Sequence, residues 1–132
     1  RSARFAGVPF ALPDLFPIAT QNTARLLLAF EDRAPQAVSA FARGAMTAYF
    51  TTGAPINDPD WLTAFAATLG LPAPDALAAL ADPQYKERLR QQCEQAVADG
   101  VFGTPWIVAD GEAFWGNDRL PQLERWLANG GF

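Results

Sequence analysis

Apolar positions repeat with the 3.6-residue period of a helix over most of the chain and switch once, near its end, to a β-prone run. Arg1 to Ala6 reads as a helix tail closed by Gly7, and Pro9, Pro13 and Pro17 forbid regular structure as far as Ile18. Thr20 is placed to cap a helix running to about Asp32, with Ala24, Leu27 and Leu28 on one face. Pro35 opens the next helix, where Ala37, Val38, Phe41, Ala45, Ala48 and Tyr49 recur at helical spacing up to Gly53. Asp58-Pro59 caps and starts a third, which turns Leu62, Phe65, Ala66 and Leu69 inward and ends on Gly70. A short helix follows from Pro74 through Ala81. Asp82-Pro83 repeats the start signal for a helix whose stripe of Tyr85, Leu89, Cys93, Ala96 and Val97 predicts burial as far as Gly100.

The period then changes. Trp106 to Ala109 is a β-prone run, Asp110-Gly111 a favoured two-residue hairpin turn, and Glu112 to Trp115 the returning strand. Thr104-Pro105 puts a proline at the leading edge of the first strand, where a missing donor costs least and a cis peptide is a candidate. Pro121 has no N–H and suits a first helical turn, which sets the cap of the last helix between about Asp118 and Leu120, with Asp118 the best capping type. A lone hairpin is marginal unless further strands or a helix complete it, so the pattern predicts a chain that is not a self-sufficient fold.

Composition narrows the chemistry. Of 132 residues, 50% are hydrophobic and 12% aromatic, enough for a buried core. A net charge of -4 without any basic stripe argues against nucleic acid, and no apolar run is long enough to cross a bilayer. The single Cys93 fits a reducing, cytoplasmic setting. With no histidine and a single thiol, the chain lacks the nitrogen and sulfur ligands of a zinc site, and a histidine general base within it is excluded. Asn117 and Asp118 are ordinary capping types, yet a helix start with an acidic side chain also suits a ligand carrying both a carboxylate and an ammonium group. Arg119 fits either a group that orients a substrate carboxylate or a plain surface residue near a helix start, and its unhelpful charge there tilts the choice toward the first. Trp106, Phe114 and Trp115 fit either a core or the wall of a flat aromatic site, with Phe114 the best core candidate.

The run Gly-Val-Phe-Gly-Thr-Pro from Gly100, the Asp-Gly turn and Phe114-Trp115-Gly116-Asn117-Asp118-Arg119 together resemble the 2-hydroxychromene-2-carboxylate isomerases. Gly7-Val8-Pro9-Phe10, Phe16-Pro17 and Asn22-Thr23-Ala24-Arg25 resemble that family's entry into its inserted helical domain. The resemblance implies an α/β fold of the DsbA-like thioredoxin type, close to the kappa-class glutathione transferases, with residues 1–100 mostly the inserted helical part and 101–132 the end of the thioredoxin-like lobe. It further implies that the family's first strands and its active-site serine lie before Arg1, leaving the catalytic residue outside this chain. What remains is a glutathione cradle: Thr104 and Pro105 for the cysteinyl part, Asn117 and Asp118 for the γ-glutamyl end, and Arg119 and Trp106 for an aromatic carboxylate substrate. Asn117 stands where the kappa-class pattern usually has serine. The implied activity is a glutathione-dependent isomerisation in aromatic degradation. A DsbA-like thiol–disulfide exchanger or a kappa-class-like transferase is the alternative, and the resemblance leaves room for a homodimer.

Overall fold

The computed structural model describes residues 1–132. In chain order the elements are α1 (Ser2–Phe5), α2 (Gln21–Arg33), α3 (Val38–Thr52), α4 (Pro59–Thr68), α5 (Ala73–Ala81), α6 (Pro83–Ala98), β1 (Trp106–Ala109), β2 (Glu112–Trp115) and α7 (Leu120–Asn129). Short 3-10 turns at Pro35–Ala37 and Asn117–Arg119 precede α3 and α7. The chain forms two compact units, residues 1–90 and 91–132, and α6 runs from one into the other.

The first unit is helical and carries most of the core. Leu26, Ala29 and Phe30 of α2 are buried with Phe41, Leu62, Ala66, Ala76, Ala79 and Tyr85. A line of rings threads it: Phe30 stacks on Phe41 at 4.6 Å between centroids, Phe41 on Phe65 at 5.8 Å, and Phe65 on Trp61 at 5.0 Å. Gly44 allows α3 to lie this close, because a Cβ there would sit 2.5 Å from Phe65 Cζ. The proline-marked starts form as the sequence indicates. Asp58 Oδ1 accepts from the Asp60 N–H at 2.9 Å, and Asp82 Oδ1 from the Gln84 N–H at 2.8 Å. Gly53, in the left-handed region at φ 68°, ends α3. Arg88 of α6 reaches across to α2, where it meets Glu31 at 2.7 Å and Asp32 at 2.8 Å. Its guanidinium donates to the Asp32 carboxylate and holds that carboxyl below the ordinary carboxylate range.

The three-proline segment ahead of α2 is irregular, with a cis peptide at Phe16-Pro17. It is pinned to α3 by two backbone acceptors: the buried Tyr49 hydroxyl donates to Leu15 C=O at 2.6 Å, and the Ala11 N–H donates to Phe50 C=O at 2.6 Å.

Three expectations need correction. The stripe on α6 is buried only at its start. Tyr85 is buried and Leu89 half-buried, but Cys93 is exposed and Val97 is 74% exposed. Helical phase sets which residues share a side; burial also needs a partner for that side, and beyond Leu89 no side chain covers Cys93 or Val97. The inward face of α2 is wider than Ala24, Leu27 and Leu28, since Leu26, Ala29 and Phe30 are buried as well. Thr20 holds the N-cap position of α2 without a side-chain cap, because its backbone at φ -110°, ψ 11° lies outside the extended region that capping uses.

The second unit is a two-stranded antiparallel sheet followed by α7. Its register pairs Trp106 with Trp115, Ile107 with Phe114, Val108 with Ala113 and Ala109 with Glu112, around a turn whose Asp110 takes φ 53° and Gly111 φ 84°. Positive φ at both positions is the type I′ requirement that an Asp-Gly pair meets. Phe114 is the buried hydrophobic residue of this unit, and no residue of α7 is buried.

Candidate functional site

The candidate residues lie at the open end of the hairpin. The Thr104–Pro105 peptide bond is cis and delivers the chain into β1. Thr104 stands just outside the strand pairing, with neither its N–H nor its C=O in a backbone hydrogen bond. Across the hairpin, Gly116 takes φ 101° and ψ 154°, a conformation open essentially to glycine alone. Its N–H donates to Pro105 C=O at 2.9 Å, and its C=O accepts from the Arg119 N–H at 3.1 Å. One glycine therefore ties the proline segment to the Asn117–Arg119 turn and brings Thr104, Pro105, Asn117, Asp118 and Arg119 into one neighbourhood.

The expected capping role of Asp118 is not what the structure shows. The 3-10 turn carries Asn117 to Arg119, Arg119 occupies the N-cap position of α7, and no side chain caps either start. Pro121 does sit in the first turn of α7, but the turn ahead of it takes up the approach that a capping aspartate would need. The Asp118 side chain is 77% exposed and folds back over Gly116, where its Oδ1 stands 2.6 Å from the point a Cβ would occupy. Arg119 Nε lies 3.9 Å from Asp118 Oδ2, a solvent-exposed pair of little energetic weight. At the head of a helical turn, backbone N–H groups have no partner inside the turn. Together with the exposed Asp118 carboxylate, only loosely paired with Arg119, and the Asn117 amide, they form a set that can receive a carboxylate and an ammonium side by side.

Three aromatic rings flank the cis proline. Phe102 meets Trp106 edge to face at 5.1 Å and Trp115 at 4.7 Å, while remaining 70% exposed itself. The Trp115 indole lies directly against Gly103, where any Cβ would run into its ring nitrogen. Phe102, Gly103 and Gly116 were not singled out by the pattern of apolar positions. The available signal is a glycine immediately before Thr-Pro and another immediately after Phe-Trp, where two segments approach too closely for a side chain. Trp106 and Arg119 line different grooves. Trp106 opens on a space of about 560 Å³ with Gln95, Val101 and Val108, and Arg119 on one of about 410 Å³ with Trp115, Gln122 and Trp126. Asn22 and Arg25 lie in the helical unit, where Asn22 donates to Asn57 C=O at 3.3 Å and Thr23 hydrogen-bonds Ile56 C=O, fastening the start of α2 to the segment before α4. No group of histidine, cysteine and acidic side chains is arranged to hold a metal ion, and no helix is long and apolar enough to cross a membrane.

The chain is thus a helical unit followed in sequence by a hairpin and a closing helix, and its class is a thioredoxin-like domain of the DsbA-like kind. The comparisons make this specific: the model of the DSBA-like thioredoxin domain matches residues 1–128, and the chain belongs to that family. Among curated proteins, it is 30% identical over 139 residues to glutathione S-transferase kappa 2 of Caenorhabditis elegans, a match that covers 96% of this chain and 62% of the relative. It is 32% identical over 120 residues to 2-hydroxychromene-2-carboxylate isomerase of Sphingobium xenophagum, covering 91% of this chain and 60% of the relative. The chain thus spans about three fifths of the length of both relatives. A solved structure of a 2-hydroxychromene-2-carboxylate isomerase superposes with a TM-score of 0.82 at 24% identity, over 96% of this chain and 60% of that one, which establishes the shared fold.

Proposed function

We propose that the protein is a glutathione-dependent isomerase acting on a 2-hydroxychromene-2-carboxylate-like substrate, with this chain supplying the glutathione cradle. The observation that carries the reading is the Gly116 N–H to Pro105 C=O bond, which sets the unpaired backbone of Thr104 beside the Asn117–Asp118 turn. A peptide backbone needs an antiparallel partner with free N–H and C=O groups, and Thr104 has both. A γ-glutamyl end needs an anion site and a carboxylate close together, and the turn offers backbone N–H groups, the Asn117 amide and the Asp118 carboxylate. The donor set therefore fits glutathione. The name of the kappa-class glutathione transferase relative supports glutathione as the ligand, and the names of both relatives support an enzymatic role.

When bound, glutathione would supply a thiol able to add reversibly to an electrophilic substrate. In this reading Thr104 and Pro105 hold the cysteinyl part in register, and Asn117 and Asp118 fix the γ-glutamyl end. Arg119, 3.9 Å from Asp118, belongs to the same end, and the groove at Trp106 receives the flat ring of the substrate. A small aromatic carboxylate is the substrate class.

Asp118→Asn tests the cradle. Since the side chain makes no cap, the variant should melt like the wild type. Removing the charge should weaken glutathione by roughly tenfold, modest because Asp118 is exposed. Wild-type affinity by calorimetry would remove Asp118 from the site and the reading with it.

A further inference from the structure

The start of α7 carries the candidate cradle, yet α7 buries no residue, so something other than core packing must fix its direction. Two attachments do so. The first is the Gly116 N–H to Pro105 C=O bond at its leading end. The second is Trp126, whose indole Nε1 donates to Asp110 Oδ2 of the hairpin turn at 2.9 Å. Trp126 stands six positions after Leu120, which at a helical rise of 1.5 Å per residue places the second attachment about 9 Å along α7 from its first residue, with the Asn117–Arg119 turn lying between that residue and the first attachment. One attachment fixes a point, and two fix a direction. The Trp126 ring also meets Phe114 edge to face at 5.8 Å and Phe132 at 5.2 Å. The chain end folds under it, with Gly131 at φ 109° and the ring 3.4 Å from the place of a Cβ. Ring contacts tolerate rotation; the indole N–H to a carboxylate is directional and charge-assisted.

We propose that the Trp126–Asp110 hydrogen bond is a clasp that sets the direction of α7 and so holds the Asn117–Asp118 turn against Thr104–Pro105. Trp126 and Asp110 are positioning residues for the cradle, acting from a point part-way along α7 on the turn ahead of its start. Their relevance to glutathione rests on the proposed function above; the clasp itself does not.

Three substitutions separate the hydrogen bond from its surroundings. Trp126→Phe keeps a ring and loses the N–H. Asp110→Gly suits the positive φ of the turn and loses the acceptor, and Asp110→Asn keeps both the turn and an acceptor oxygen. Two readings are taken on the full chain: exchange of the Gly116 amide in the ligand-free protein by NMR, and the calorimetric Kd for glutathione. In Trp126→Phe and Asp110→Gly, Gly116 exchange is expected to accelerate about fivefold, the scale of one solvent-weakened hydrogen bond, with wild-type exchange restored in Asp110→Asn. The Kd should rise in the same two variants and by a similar factor. Wild-type exchange at Gly116 in all three variants overturns the clasp, even if their melting temperatures fall, because a purely stabilising contact would leave the native turn unchanged. Accelerated exchange in a protein whose wild type does not bind glutathione supports the clasp and overturns the glutathione reading instead.

Discussion

Two glycines decide how the candidate site is built, each by what it lacks. Gly116 lets the chain turn from β2 into the 3-10 turn at a backbone conformation other residues avoid, and Gly103 lets the Trp115 indole lie on the backbone just before the cis proline. Gly103→Ala should push that indole away and break its contact with Phe102, which stands at 4.7 Å. Because Trp115 is half exposed, the ring can swing outward, and the cost should be that of a lost aromatic pair, about 1 kcal/mol. The near-UV circular dichroism should change with it; a spectrum identical to the wild type would show that Trp115 does not rest on Gly103. Asp118 makes a contrasting case. Its residue type suggests a cap, but the folded chain leaves its carboxylate exposed and only loosely paired with Arg119, so a ligand could still engage it.

At the scale of elements, close packing reverses a familiar preference. Replacing a mid-helix glycine with alanine ordinarily stabilises by about 1 kcal/mol. Gly44 faces Phe65, which is held between Phe41 and Trp61 and cannot retreat freely, so overpacking at about 1–3 kcal/mol should win. Gly44→Ala is therefore expected to lower stability in chemical denaturation, and a gain would mean that α3 and α4 can separate. The bridge from α6 to α2 gives a pH dependence of known sign. Folding holds the Asp32 carboxyl below its ordinary range, through the Arg88 hydrogen bond first. Its contribution is thus present above the ordinary carboxylate range and is lost as acid protonates the folded group. The stability gap between the wild type and Asp32→Asn should exist at neutral pH and close in acid; a gap independent of pH would refute the link. The proline starts at Pro59 and Pro83 and the glycine stops at Gly53 and Gly70 were legible in the sequence, because they depend on local backbone chemistry. So was the hairpin, through Asp110-Gly111. What sequence pattern could not convey was tertiary: that Cys93 and Val97 would have nothing over them, that Asp118 would yield the cap position to Arg119, and that Trp106 and Arg119 would open on different grooves.

Across the whole molecule the two units differ in how they are held. The helical unit has a ring-lined core reaching from α2 to α6, whereas residues 91–132 rest on Phe114, Trp126 and a few directional hydrogen bonds. The DsbA-like assignment spans both: packed helices in one, and in the other a short hairpin beside which the backbone of Thr104 makes no backbone hydrogen bond. The Tyr49 hydroxyl, bonded to Leu15 C=O, has a further consequence for the segment before α2. That segment displays Phe10, Leu12, Leu15 and Phe16 to solvent; Leu12 and Phe16 each precede a proline, so the bonds after Phe10 and Leu15 are the ones open to a chymotrypsin-like protease. Cleavage requires the backbone to lift away and extend into the enzyme, and a pinned carbonyl resists lifting. Tyr49→Phe keeps the buried ring but releases that carbonyl, so limited digestion should nick the variant near Leu15 well before the wild type, leaving a large helical fragment that begins close to α2.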